Sequence, residues 1–170
     1  MMSEHQPENQ FEIDVQNDDG YAFDAARLQA AAGAVLTRHD VAEGTTLTIV
    51  VTSNEDVASL NRDFRGVDAP TDVLSFPADI PPMPGEPPYL GDLIIAYPYA
   101  SAQAQREGHA LMDSLALLVV HGTLHLLGYD HDTMEHKAEM WQAQETALTA
   151  LGISPDIVPA LEAGTDHDED

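Results

Sequence analysis

A histidine motif at the end of the longest apolar run of the chain, residues 115–120, constrains the fold most strongly. The motif covers residues 121–131 and reads HGTLHLLGYDH. Since each helical residue turns the chain by about 100°, His121 and His125 lie on the same helix face, one turn apart. Gly128 can adopt the left-handed conformation that ends a helix. The turn can then carry His131 back toward the other two rings.

The surroundings of this motif predict a metal site. The helix that carries it, predicted over residues 112–127, is apolar on nearly every side, so we expect it to be buried. A buried imidazole is unfavourable without a partner, and this helix has no carboxylate at the next turn for His121 or His125. Three neutral imidazoles that converge beside an open fourth position form a catalytic zinc site. The alternative is a structural cluster of hydrogen-bonded core histidines.

The same histidine spacing occurs in the metzincin protease motif, HExxHxxGxxH. The glutamate of that motif is the general base of the protease, and Gly122 stands in its place here. The sequence therefore predicts a metal cage without the proton acceptor of a peptidase, which disfavours peptide hydrolysis by that mechanism. A metalloprotease with a carboxylate supplied from elsewhere stays open as an alternative.

The composition narrows the class of protein. The 170 residues suit one domain with a modest core, and the absence of cysteine excludes disulfides and thiolate metal ligands. The first ten residues lack the basic start and apolar stretch of a signal peptide. No apolar run reaches the roughly 18 residues that a membrane helix needs. We therefore expect a cytoplasmic protein with no membrane partner.

The charge of the chain is strongly negative. It contains 6 Lys and Arg against 30 Asp and Glu, which gives a formal net charge of −24. Residues 1–20 and 153–170 carry six acids each, so 12 of the 30 lie near the ends. The rest is still acidic, which counts against tight unaided binding of RNA or DNA. We expect a disordered acidic N-terminus at residues 1–10, a single domain at residues 11–152 and an acidic C-terminal tail at residues 153–170.

The periodicity of apolar residues predicts an α+β fold. Strands alternate with helices early in the chain and helices accumulate at its end. This order favours a small mixed four-stranded sheet packed with helices, with the metal site on a buried central helix. Strands are predicted at residues 11–15, 45–52, 72–77 and 90–96. Helices are predicted at residues 21–38, 57–64, 100–107, 112–127 and 134–151, and the proline-rich residues 81–88 form a loop.

Arg65 is a second candidate for function. It directly precedes Gly66, where the predicted second helix ends, and basic residues are scarce in this chain. A cation at a helix C-terminus stabilises the helix dipole, which is the ordinary explanation. The functional explanation is a guanidinium that binds a phosphate group. The spacing alone favours the ordinary explanation.

Three segments together resemble the YbeY family of bacterial endoribonucleases. They are FRG and PTDVLSFP within residues 64–77, LGDLI at residues 90–94, and the histidine motif at residues 121–131. The resemblance runs from residue 11 to residue 151, and the segments occur in the same order.

The resemblance implies a zinc-dependent, single-strand-specific endoribonuclease that acts in rRNA maturation at the 3′ end of 16S rRNA and in ribosome quality control. His121, His125 and His131 match the family's metal ligands, and Arg65 matches its functional arginine, which reverses the preference stated above. The implied partners are single-stranded RNA and the ribosome or ribosome-associated proteins, and no DNA is expected. Nickel or copper could compete with zinc for three imidazoles. The negative charge predicts that a partner delivers the RNA.

The group that accepts the proton stays open at this point. Gly122 has no side chain to do so, which leaves a metal-bound hydroxide, Asp72 or Asp92, or attack by the RNA 2′-hydroxyl instead of water. Asp130 or Asp132 could orient an imidazole of the site.

A non-catalytic ribosome-assembly factor with a structural zinc ion is another alternative. It would need a fourth protein ligand, and Asp132 or His136 could supply one. Outside that role, His136 is expected to be solvated on the last helix.

Overall fold

The computed structural model describes residues 11–78 and 83–157. Its elements, in chain order, are β1 (Glu12–Gln16), α1 (Ala25–Thr37), β2 (Thr46–Thr52), α2 (Asn54–Arg65), β3 (Val73–Pro77), β4 (Tyr89–Ala96), α3 (Tyr97–Glu107), α4 (Leu111–Leu126), α5 (Met134–Ala150) and a 3-10 helix (Pro155–Ile157). The predicted acidic N-terminus at residues 1–10 lies outside the described residues. So do residues 158–170 of the predicted tail and residues 81 and 82 of the predicted loop.

The four strands form one mixed sheet in the order β1-β2-β4-β3. β1, β2 and β4 run parallel to one another, whereas the edge strand β3 is antiparallel to β4. Parallel neighbours need a crossover connection, and α1 supplies it between β1 and β2. The predicted fold class is confirmed, because the sheet is small, mixed and four-stranded.

Helices cover both faces of the sheet. α1 and α4 contact one face, and α2 contacts the other face at β3 and β4. Because side chains alternate along a strand, each face has its own apolar cluster. The strand residues under α1 and α4 are Ile13, Leu47, Ile49, Val51, Val73, Leu93 and Ile95. The cluster under α2 consists of Val57, Leu74, Ile94 and Ala96.

The first helix begins four residues later than the sequence pattern predicts. Asp24 is its N-cap, and the Asp24 side chain accepts a hydrogen bond from the amide of Ala26. The preceding aromatic residues pack outside the helix instead, since the ring of Tyr21 stacks on that of Tyr97 with centroids 4.5 Å apart. The apolar pattern predicted a helix from residue 21 because it includes Tyr21 and Phe23. In the structure both rings contact Tyr97 at the start of α3.

Ser53 is the N-cap of α2. The Ser53 hydroxyl accepts a hydrogen bond from the amide of Asp56 at 3.1 Å. The Asp56 carboxylate does not complete the reciprocal capping box, because it accepts a hydrogen bond from the Thr52 hydroxyl at 2.6 Å. At the other end, Gly66 adopts φ 74° and closes the helix directly after Arg65.

The chain packs on the domain at least as far as residue 157. Ile153 and Ile157 are both buried in the main core, although the sequence places the start of the acidic tail at residue 153. Pro155 opens a 3-10 helix here. Apolar residues within the first part of the expected tail explain this difference.

Within the described ranges, no single helix is long and apolar enough to cross a membrane. α3 and α4 reach the required length only as a pair, and the pair is bent by 118°. Their apolar composition matches the buried position of α4 beneath the sheet.

Candidate metal centre

The end of α4 brings the three histidines together. His121 and His125 lie one turn apart on the helix, and the chain reverses at Gly128, which adopts φ 104°. The amide of Gly128 donates to the carbonyl of His125 at 3.0 Å, and the amide of Tyr129 also bonds back to the last turn. This is the Schellman ending of a helix, and it returns His131 to the other rings. One ligand nitrogen of each ring lies within 4.8 Å of the others.

The hydrogen bonds of two rings define which nitrogen is left for a ligand. Nδ1 of His121 lies 2.5 Å from Oε1 of Gln144, and Nδ1 of His125 lies 2.9 Å from the carbonyl oxygen of Tyr129. A carbonyl oxygen only accepts, so each Nδ1 carries the proton. Both Nε2 atoms then present lone pairs, and they face each other at 3.1 Å.

The pKa values favour neutral, ligand-competent rings. Burial lowers the pKa of His121 from its ordinary 6.5 to about 3, and the neighbouring His125 acts in the same direction. Burial also lowers the pKa of His125, with His131 as the second cause. Neutral imidazole is the form that binds a metal ion.

The donor set fits a divalent metal ion. Two lone pairs at 3.1 Å would repel each other, and protonation to relieve that repulsion is opposed by the lowered pKa values. A cation bound by both nitrogens removes the conflict, and zinc binds imidazole nitrogen at about 2.0–2.1 Å. His121, His125 and His131 could therefore hold a metal ion.

Helix α5 forms one wall of this centre, which the sequence pattern did not reveal. The ring of Trp141 lies edge-on to His121 and His131, with centroids 5.9 Å away from each. Gln144 is fully buried and fixes His121 as described above. The available signal was its spacing, since Gln144 lies one helical turn from both Met140 and Leu148, which are buried on the same face of α5.

His39 also supports the centre, although the sequence gave no reason to single it out. Its Nδ1 lies 2.7 Å from the carbonyl oxygen of Val35, and its Nε2 lies 3.0 Å from the Tyr129 hydroxyl. The Tyr129 side chain is thereby anchored to the end of α1. The carbonyl of the same residue orients His125, so the anchor stabilises the position of a candidate ligand.

Gly122 lies where α4 packs closely on the sheet. A Cβ atom at this position would lie 2.7 Å from Cδ2 of Leu93 and 3.2 Å from the Ser75 hydroxyl oxygen. A side chain at this position would therefore force the buried Leu93 to move. The packing therefore also disfavours the glutamate of the protease motif at this position.

An open cleft of about 940 Å³ runs along the three histidines. Arg65, at the end of α2, lines the same cleft. Its guanidinium donates to Oδ1 of Asn61 at 3.3 Å, while the Asn61 amide donates to the carbonyl of Ala69 at 2.8 Å. Buried Asn61 thus links the arginine to the loop that follows the helix. The structure brings the three candidate metal ligands and Arg65 together in one cleft.

The carboxylates considered as proton acceptors lie elsewhere. Asp72 is buried beside the start of α4, in a pocket with His109 and Ser114, and Asp92 accepts a hydrogen bond from the Tyr89 hydroxyl. Neither is among the described residues that line the cleft. The candidacy of both as general base therefore finds no support.

The carboxylates that do line the cleft flank His131. They are Asp130 and Asp132. Asp130 accepts a hydrogen bond from the backbone amide of His131 at 2.8 Å, and Asp132 pairs with Nδ1 of His136 at 2.7 Å. This pair raises the pKa of His136 and lowers that of Asp132. His136 is exposed as expected and is paired with Asp132, and neither belongs to the group of side chains whose ligand atoms converge.

These features define the class of protein: an α+β domain with a candidate three-histidine metal centre in an open cleft that also contains an arginine. The sequence profile of the family Endoribonuclease YbeY matches residues 12–152. The chain belongs to this family, as its motifs indicated.

Individual relatives agree with the family assignment. The Endoribonuclease YbeY of Chloroflexus aurantiacus is 44% identical over 149 residues, which cover 84% of this chain and 97% of the relative. The protein of the same name from Chloroflexus aggregans is 46% identical over the same coverage. That from Geobacillus thermodenitrificans is 46% identical over 68% of this chain and 78% of its own length.

A solved structure supports the fold. The solution structure of a Thermotoga maritima protein superposes with a TM-score of 0.53 at 22% identity, and the match covers 82% of this chain and 90% of the other. At this identity the likeness concerns the arrangement of helices and strands alone.

Proposed function

We propose that this protein is a zinc-dependent endoribonuclease that cleaves single-stranded RNA in the cytoplasm, in maturation of the 3′ end of 16S rRNA and in ribosome quality control. The observation that carries the proposal is the pair of Nε2 lone pairs facing each other in the cleft that Arg65 lines. Family membership supplies the reaction class, since the relatives are named endoribonucleases.

Two sets of residues have separate proposed roles, one in holding the metal ion and one in binding the phosphate. His121, His125 and His131 would hold the ion, which when bound supplies a Lewis acid and a water of lowered pKa. Gln144 and the carbonyl of Tyr129 keep the first two rings in the tautomer that presents Nε2. Such orienting partners are as much a part of a metal site as its ligands.

Arg65 would bind the scissile phosphate. Its guanidinium is partly buried and is held by Asn61, so little freedom is lost when an oxyanion binds. A planar guanidinium matches the geometry of two phosphate oxygens, and a positioned cation stabilises charge that grows on the phosphate as the bond breaks.

Delivery of the RNA by the ribosome or a ribosome-associated protein is part of the proposal. The formal net charge of −24 opposes the approach of a polyanion. Contacts with a third component would offset that repulsion.

The test compares cleavage of a single-stranded RNA oligonucleotide by the wild type, Arg65→Ala and Arg62→Ala. Arg62 is the matched control, because it is exposed on the same helix turn and pairs with Asp63 and Asp68. We expect Arg65→Ala to lose about 100-fold or more in kcat with an unchanged metal content, and Arg62→Ala to remain active. Equal activity of Arg65→Ala and wild type would contradict the role of Arg65, and inactivity of the metal-loaded wild type would contradict the proposed function.

The ends of the products distinguish two routes of attack. A 5′-phosphate with a free 3′-hydroxyl is expected if water attacks and the 3′ oxygen leaves, whereas a 2′,3′-cyclic phosphate with a free 5′-hydroxyl would show that the RNA 2′-hydroxyl attacks. Products are taken early in the reaction, because hydrolysis of a cyclic phosphate leaves a 3′-phosphate. Mass spectrometry of the wild-type products separates these outcomes.

A further inference from the structure

An exposed aromatic pair lies in the cleft beside Arg65. Phe64, the penultimate residue of α2, is 67% exposed, although phenylalanine is usually buried. Its ring packs edge-on against Phe76 of β3, with centroids 5.2 Å apart and planes at 64°. Both rings line the cleft that contains the three histidines.

The packing of α2 accounts for only part of this arrangement. Val57 is fully buried and Leu60 packs against the apolar cluster under the helix, which is the apolar stripe that anchors α2 on the sheet. Phe64 continues that stripe by one turn. Phe64 contacts Phe76, but two-thirds of its surface is exposed to solvent. Packing within the fold therefore does not explain why a phenylalanine occupies this position.

The charge of the cleft favours an uncharged contact with RNA. Among the described residues that line it, Arg65 is the only lysine or arginine, and Asp130 and Asp132 oppose it. Protein affinity for nucleic acid usually comes from several neutralised phosphates, and one cation cannot supply that. Stacking of bases on aromatic rings is the main alternative source of affinity for single strands.

We propose that Phe64, supported from the side by Phe76, is a stacking surface for one unpaired nucleobase of the RNA substrate. The inference rests on the proposed function and adds a binding subsite to it. It also gives a reason for single-strand preference, because a base inside a duplex is already stacked on its neighbours and cannot lie on the ring.

The first experiment separates binding from chemistry. Phe64→Ala is compared with Phe64→Trp, which keeps an aromatic face, and with Met83→Ala. The last is a matched control, since Met83 is also a large exposed apolar residue (64% exposed) and lies outside the cleft lining. For a single-stranded oligonucleotide we expect a rise in KM of about tenfold in Phe64→Ala, with kcat within about twofold. Phe64→Trp and Met83→Ala should stay near the wild-type KM.

The second experiment asks whether the lost contact is with a base. A series of oligonucleotides, each with one abasic nucleotide near the cleavage site, is tested with the wild type and with Phe64→Ala. At one position, the abasic nucleotide should raise the KM of the wild type by the same factor as the Phe64→Ala substitution does. The same abasic substrate should cause no further rise in the KM of Phe64→Ala. Such non-additivity identifies two groups that contact each other.

The outcomes distinguish this inference from the function on which it rests. An active wild type whose KM is unchanged in Phe64→Ala, or additive effects at every abasic position, would overturn the stacking surface and leave the endoribonuclease intact. A metal-loaded wild type that cleaves no RNA would overturn both.

Discussion

Hydrogen bonds at Nδ1 determine the tautomers of His121 and His125, the two histidines of α4. A ring that donates through Nδ1 must present Nε2 as a lone pair, and both His121 and His125 do so toward the same point. The spacing of the motif predicted that the rings converge. It could not predict the tautomers, because the partners lie on α5 and beyond the helix end.

Gln144 is the residue whose replacement tests this arrangement most cleanly. Gln144→Leu removes the oxygen that accepts the Nδ1 proton of His121 in a fully buried position. We expect the affinity for zinc to fall by about 10- to 100-fold, as for other partners that orient a metal ligand. Competition with a chromophoric chelator measures this, and the fluorescence of Trp141, the sole tryptophan, reports on the same centre.

Two controls accompany that variant. Gln142→Leu makes the same change on an exposed position of α5 and should bind zinc like the wild type. Gln144→Glu keeps an acceptor, and the Gln144 amide nitrogen that it replaces has no hydrogen-bond partner, so zinc binding should be retained. Wild-type affinity in Gln144→Leu would show that the ring of His121 is fixed by other contacts.

At the scale of elements, local patterns predicted more than long-range contacts. The apolar alternation of the strands and the helix-ending Gly128 are short-range signals, and both were confirmed. The start of α1 and the role of Phe64 were not predicted. Both depend on residues far away in sequence, Tyr97 and Phe76 respectively.

The close contact of α4 with the sheet leads to a prediction about stability. Gly122 and Gly33 are both buried helical glycines, but a Cβ at Gly122 would lie 2.7 Å from Leu93, whereas one at Gly33 meets nothing within 4 Å. We expect Gly122→Ala to lower the free energy of unfolding by about 1–3 kcal/mol through overpacking. Gly33→Ala should raise it by about 0.5–1 kcal/mol, because alanine is the better helix former.

Urea denaturation in the presence of a chelator measures both variants without a contribution from bound metal. A Gly122→Ala protein as stable as Gly33→Ala would mean that α4 shifts away from β4 at little cost. The close approach would then not explain why glycine occupies this position.

At the scale of the whole molecule, charge limits how the protein engages RNA. The formal net charge is −24, and the described lining of the cleft holds Arg65 as its one lysine or arginine. Binding of isolated single-stranded RNA should therefore be weak, with a logarithmic salt slope of about −0.7, the value for one neutralised phosphate of a single strand. Fluorescence anisotropy at several salt concentrations measures it. Tight binding with a slope steeper than about −3 would indicate a basic surface outside the described cleft.

The most direct test of the proposed metal-dependent activity combines metal analysis with RNA cleavage, on protein made without a histidine tag. The wild type is compared with His125→Ala and with His136→Ala, the latter being an exposed histidine outside the triad. The account predicts about one ion per chain in the wild type and in His136→Ala, as expected for a three-imidazole site, and none in His125→Ala. Cleavage should disappear with a chelator and return with zinc. A stoichiometric ion in His125→Ala, or full cleavage by the metal-free wild type, would contradict it.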